Sequence, residues 1–167
     1  MMQMTAKQSI FVSVGTHPQQ FNRLLEKIDD LIADKTLAGD VFAQTGASTY
    51  RPKHFSHVAY MELAEFEQRI ANADLVISHG GEGNIGLALK HRKKCIAIPR
   101  LARFGEHTND HQTELVKAAA DADKIVAVWA EKDLAKAIKS VKSFKPDFST
   151  GNERIIGLLE SFVKMLK

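Results

Sequence analysis

The stretch "DLVISHGGEGNIGLALKH", residues 74–91, decides the fold. It opens on apolar and β-branched residues, passes through Gly80, Gly81 and Gly83, and continues with apolar residues at helical spacing. That order reads as strand, tight turn and helix, and a strand as apolar as Leu75-Val76-Ile77 has to be covered on both faces. Gly81 to Gly86 also spell G-x-G-x-x-G, the fingerprint that brings a backbone turn against a dinucleotide's pyrophosphate. Three readings stand open: a dinucleotide site, another anion cradle, or a turn whose glycines serve packing alone.

Outward from this unit the alternation repeats. Strands are expected over 10–14, 41–44, 57–60, 75–78, 95–98 and 125–128, and helices over 19–33, 63–72, 84–91, 109–120, 131–141 and 152–166. Apolar strands alternating with helices predict a three-layer α/β domain, a Rossmann-like parallel sheet with right-handed crossovers. At 167 residues, one domain over 1–167 is expected.

Composition excludes several classes. Lys and Arg number 23 against 20 Asp and Glu, so the net charge of +3 does not call for nucleic acid. No apolar run approaches the length of a membrane span, and "MMQMTAKQ" has no signal-peptide pattern, so a cytoplasmic location is expected. The single cysteine, Cys95 in "CIAIP", reads as a buried, inert thiol. Lys132, Lys136, Lys139 and Lys142 lie opposite Leu134, Ile138 and Val141 on an amphipathic helix, a solvated basic face or one that touches anionic lipid. Asp29 and Asp30 read as a solvated helix face.

In open parallel sheets ligands gather beyond the carboxyl ends of strands. There the chain places Gly15 to His17, Gln44 to Gly46, His79 to Asn84 and residues 99–112. Gly80, Gly81 and Gly83 let main-chain amides approach an anion at a helix N-terminus. The strand after the fingerprint ends in Pro99-Arg100, without the acid that holds a ribose diol, but Arg100 can meet a 2′-phosphate. An NADP-binding oxidoreductase is therefore one alternative. Glu106, His107, Asp110 and His111 suggest a metal cluster, yet Asn109 and Gln112 have capping-box spacing, which leaves His107 on a loop; no metal is expected. The same polar cluster can hydrogen-bond sugar hydroxyls. His17 is a general base, a phosphate partner or an ordinary loop histidine, and His79 donates to a phosphate or caps its turn.

Taken together, "VSVGTHPQQFNRLLEKIDDL", "AQTGASTY", "ADLVISHGGEGNIGLALKHRKKCIAIPR" and "FGEHTNDHQTELV" resemble the C-terminal domain of glycosyltransferase family 28. The likeness is to the small soluble subunits of split glycosyltransferases, in bacterial capsule and exopolysaccharide synthesis and in eukaryotic dolichol-linked glycan assembly. It extends to about residue 128. The resemblance implies the C-terminal, donor-binding half of a GT-B enzyme that takes a UDP-sugar and uses no cofactor. A membrane-anchored partner subunit would hold the polyprenyl-diphosphate-linked acceptor, keeping the chain peripheral at the inner face of the plasma membrane, and transfer would invert the anomeric centre.

Carried over by position, Gly15 and Thr16 lie near the diphosphate. His79, Gly80, Gly81, Gly83 and Asn84 form the second cradle, Asp110, His111 and Gln112 approach the donor sugar, and Tyr60 and Met61 edge the uracil pocket. His17 is the catalytic base candidate of this half. Many family members carry a glutamate in the cradle helix that grips the ribose diol; here that position is Leu87. Uridine recognition would then rest on Glu82 or another polar group, and a non-catalytic adaptor that has lost donor binding is the second alternative. "GEHTNDHQ" resembles the bacterial branch, which implies galactosyl, glucuronosyl or related hexosyl transfer.

Overall fold

Side chains alternate between the two faces of a strand, and here both faces are apolar. In the computed structural model, which describes residues 6–148, the strands are β1 (Ser9–Ser13), β2 (Asp40–Gln44), β3 (Ser56–Val58), β4 (Leu75–His79), β5 (Lys94–Ile98) and β6 (Val126–Ala127). All pair in parallel, in the order β3-β2-β1-β4-β5-β6. The helices are α1 (Asn22–Ala33), α2 (Leu63–Asn72), α3 (Glu82–Lys90), α4 (His111–Asp121) and α5 (Leu134–Ser140). The helix expected over 152–166 lies outside the described residues.

Ile10, Val12, Leu75 and Ile77 face one layer, made by Leu24, Leu25 and Ile28 of α1 and Leu134 and Ile138 of α5. Phe11, Val76, Cys95 and Ala97 face the other, made by Phe66 and Ile70 of α2, Ile85 and Ala88 of α3, and Val116 and Ala119 of α4. The expected three layers are present. Within them Cys95 is fully buried, and burial pushes its thiol up to about 12, so it stays protonated and unreactive.

One crossover carries no helix. Residues 45–55 run irregularly from β2 to β3, and α1 pins them. Asp29, expected on a solvated face, is instead buried: its carboxylate accepts from Tyr50 Oη and Lys53 N, each at 2.7 Å, and from His54 N at 2.8 Å. Burial alone would raise this carboxyl's pKa, but those donors outweigh it and hold the group below the usual carboxylate range. Asp30 is exposed as expected.

Several element ends move for local reasons. Helix α1 starts at Asn22, not 19, because Gln20 Oε1 accepts the Asn22 N–H at 2.7 Å and the carbonyls of Gln19 and Gln20 turn to Arg100. Strand β3 stops at Val58 and leaves Tyr60 beyond it. The helix expected over 131–141 divides into a 3-10 turn, Glu131–Asp133, and α5. Lys132, Lys136, Lys139 and Lys142 are all exposed along it.

Candidate functional site

Connections leave β1 and β4 in opposite directions, so the loops after these adjacent strands part and leave a crevice above the sheet. A cleft of about 700 Å³ lies there. Gly15, Thr16 and His17 wall one side, and His79, Gly81, Gly83, Asn84 and Leu87 the other. Gln112 closes the α4 end, while Met61, Leu63 and Phe66 add an apolar wall from α2 and the loop before it.

Helix α3 begins at Glu82, two residues before the expected start, with Gly81 as its N-cap. Its first backbone bond runs from Ile85 N to Gly81 O at 3.1 Å, so the N–H groups of Glu82, Gly83 and Asn84 have no main-chain acceptor among the described residues. They stand at the positive end of the helix dipole. The Asn84 side chain anchors this turn, donating to Ser13 Oγ at 2.8 Å and Ser78 Oγ at 3.2 Å, at the ends of β1 and β4.

The glycines divide by what a side chain would meet. A Cβ on Gly83 would touch nothing within 4 Å. On Gly81 it would overlap the His79 ring, and on Gly15, whose φ of +82° already excludes most residues, it would lie 2.5 Å from His79 Nε2. A Cβ on Gly80 would stand 2.7 Å from Val116 of α4. Packing thus explains Gly15, Gly80 and Gly81, whereas Gly83 opens onto free space.

His79 is buried between these glycines, with Nδ1 3.2 Å from Gln112 Nε2. Burial, and then the charge of Arg100, push its pKa down to about 3, so the ring is neutral. Gln112 Oε1 accepts from Arg100 N at 3.0 Å. The capping box is thereby corrected: α4 starts at His111, Asn109 Oδ1 accepts the His111 N–H at 3.1 Å, and Gln112 does not reach back to close the box.

Arg100 overturns a second expectation. It is fully buried, and its guanidinium donates to Val14 O, Gln19 O, Gln20 O and Glu106 O at 2.5–3.2 Å. With no exposed surface it cannot meet a 2′-phosphate, so the NADP reading loses its residue. Burial lowers its pKa to about 10, which leaves it charged near neutrality.

The grouping of Glu106, His107, Asp110 and His111 is dispersed. Glu106 accepts from Arg23 Nε at 2.7 Å and from Leu101 N at 2.9 Å, while Asp110 accepts from Ala102 N at 2.8 Å. His107 stacks on His17 with ring centroids 4.3 Å apart. Burial, and then Arg100, lower the His17 pKa; burial and then His17 lower that of His107. Among the described residues no group of three His, Cys, Asp or Glu side chains is set to hold a metal ion.

Not every site residue read from the sequence meets the cleft. Gly80 and His111 line an adjoining pocket of about 190 Å³, on the far side of Gly81. Tyr60 lines a separate hollow of about 440 Å³ beside His57 and Arg51, and Asp110 lines none of the three. Sequence reasoning placed Gln44 beyond its strand without giving it a role, passed over Leu63 and Phe66, and missed the polar seam of Ser13 and Ser78 beneath the cleft. Serines closing otherwise apolar strands were the available signal.

Among the described residues no helix is long and apolar enough to cross a membrane. No curated protein matches the chain in sequence. Among solved structures, it resembles ALG13, determined by NMR in solution, at 15% identity and a TM-score of 0.61, over 92% of this chain and 96% of that one. It also resembles Acinetobacter baumannii MurG at 15% identity and a TM-score of 0.57, over 95% of this chain and 51% of that one. The Methanocaldococcus jannaschii UDP-GlcNAc 2-epimerase, solved with UDP-GlcNAc and UDP, aligns at 15% identity and a TM-score of 0.56, over 93% of this chain and 46% of that one. The chain thus spans about half the length of these last two, and likeness at this identity shows the fold, the C-terminal half of a GT-B architecture. The model of the glycosyltransferase family 28 C-terminal domain matches residues 9–157, across all six strands and both loops that wall the cleft, and the chain belongs to that family.

Proposed function

We propose that this chain is the donor-binding half of a hexosyltransferase and holds the diphosphate of a UDP-sugar in the cleft between β1 and β4. The observation that carries the reading is the convergence of α3 main-chain N–H groups that have no main-chain acceptor among the described residues, the His79 ring and the Gly15 loop on one open volume. These donors are fixed by the fold, lie at a helix N-terminus and need no metal to neutralise a leaving diphosphate. A volume of about 700 Å³ suits a ligand of nucleotide-sugar size. Met61, Leu63, Phe66 and Leu87 offer the nucleoside an apolar wall, with Glu82 on its rim where a ribose diol would need an acceptor.

In this reading a membrane-anchored partner brings the lipid-linked acceptor, and transfer proceeds with inversion, in capsule or exopolysaccharide synthesis. His17 lines the cleft with a lowered pKa, so it is neutral near pH 7 and able to accept a proton from the acceptor hydroxyl. Half a cleft cannot align acceptor, base and donor carbon, and the isolated chain is expected to bind donor without transferring the sugar.

Calorimetry with UDP and a panel of UDP-sugars tests the reading. Gly83→Val has room to fold, because a Cβ there meets nothing, yet it fills the space before the free amides. UDP affinity is expected to fall roughly 10–100-fold, the worth of one or two hydrogen bonds to a charged group. Equal affinity in wild type and Gly83→Val would place the diphosphate elsewhere, and no heat from any of these ligands would favour the adaptor.

A further inference from the structure

The position of the proton on His79 follows from its neighbours. The main-chain N–H of Arg100 can only donate, and it lies 3.0 Å from Gln112 Oε1, so the amide oxygen of Gln112 faces Arg100 and its NH2 faces the other way. That NH2 can only donate in turn, and it lies 3.2 Å from His79 Nδ1. Nδ1 must therefore offer its lone pair, which puts the ring proton of a neutral imidazole on Nε2. Nε2 has no hydrogen-bond partner among the described residues and stands against Gly15, in the wall of the cleft.

We infer that Gln112 is a positioning residue that holds His79 as its Nε2-protonated tautomer, so that a fixed, uncharged N–H donor points at the diphosphate between the Gly15 loop and α3. The identity of the ligand rests on the proposed function; the tautomer does not. This role is separate from recognition of the donor sugar by Gln112: the amide spends one lone pair on Arg100 N and one N–H on His79, and keeps a second of each. The arrangement also suits the surroundings. Arg100 is charged and close to the ring, so a second cation there would be repelled, whereas a neutral donor serves an anionic ligand without repulsion when the site is empty.

Long-range nitrogen–proton NMR correlation of the histidine rings in the isotope-labelled chain reads the tautomer directly. Wild type is expected to show a protonated Nε2 and a bare Nδ1 on His79. Gln112→Glu replaces the NH2 donor by an acceptor and is expected to put a proton on Nδ1; it keeps an acceptor for Arg100 N and so remains folded even if Gln112→Leu does not. In Gln112→Leu the ring is expected to exchange between tautomers, and UDP affinity to fall about tenfold, the loss of one hydrogen bond to a charged group. A proton on Nδ1 in wild type, or an unchanged ring in Gln112→Glu, would overturn the inference. UDP is expected to shift the wild-type Nε2 resonance; if it binds without doing so while the tautomer depends on Gln112, the lock stands and the diphosphate reading fails.

Discussion

Arg100→Leu is expected to destabilise the fold by about 3 kcal/mol or more, because several buried main-chain acceptors lose their donor together. Removing a buried cation also removes its desolvation cost, and replacing a whole buried ion pair by apolar residues is often neutral. That compensation is not available here. The partners are carbonyls of Val14, Gln19, Gln20 and Glu106, which stay in place whatever side chain replaces the arginine. The Glu106 carboxylate itself keeps Arg23 and so loses little. Since domain stabilities are commonly about 5–15 kcal/mol, such a loss is a large share of the whole. Arg100→Lys should recover only part of it, as one ammonium cannot span acceptors arranged for a planar fork. Urea unfolding measures the effect, and a midpoint equal to that of wild type for Arg100→Leu would mean that these carbonyls find other donors. Because Arg100 also tethers the segment carrying Gly15 and His17, UDP affinity should fall in whatever fraction of Arg100→Leu remains folded.

The same residue shows where sequence reading stops. The strands were legible because runs such as Leu75-Val76-Ile77 leave no solvated face, and alternation then set the layers. The two loops facing the cleft were legible because they follow strands. Arg100 was not: an arginine at a strand end looks like a ligand contact, and only the tertiary fold brings the carbonyls of Val14, Gln19 and Gln20, some eighty residues away, around it. Gln112 misled for a related reason. Its spacing from Asn109 is local and matches a cap, but its partners, Arg100 N and His79, lie 12 and 33 residues away in sequence. Asp29 was misplaced because helical periodicity shows which face of α1 meets the sheet and says nothing of a loop folded over the other side. Among the glycines, sequence offered no way to tell Gly80, Gly81 and Gly83 apart. Structure assigns Gly80 and Gly81 to packing and leaves Gly83 facing open volume, a distinction that depends on Val116 and His79 and has no counterpart in the motif.

Acid should weaken this fold well before its carboxylates protonate. His79 titrates near 6.5 when unfolded and is pushed down to about 3 in the fold. Between those values the unfolded chain takes up a proton that the folded chain refuses, so stability is fully present above about pH 6.5 and falls as pH drops toward 3. At about 1.4 kcal/mol for each pH unit, moving from pH 6.5 to pH 5 is expected to cost about 2 kcal/mol from His79 alone. His17 and His107 are also lowered, by burial first, and act in the same direction. Asp29 is a carboxyl with a depressed pKa, so its contribution is lost only below about pH 4 and leaves this window clear. Denaturant midpoints at intervals from pH 7.5 to pH 5 measure the slope, and His79→Gln, which cannot take up a proton in either state, should remove the share that His79 contributes even if its absolute stability is lower. If His79→Gln kept the wild-type slope, the ring would already be protonated or solvated in the native protein, and neither the neutral donor nor the lock on its tautomer could hold.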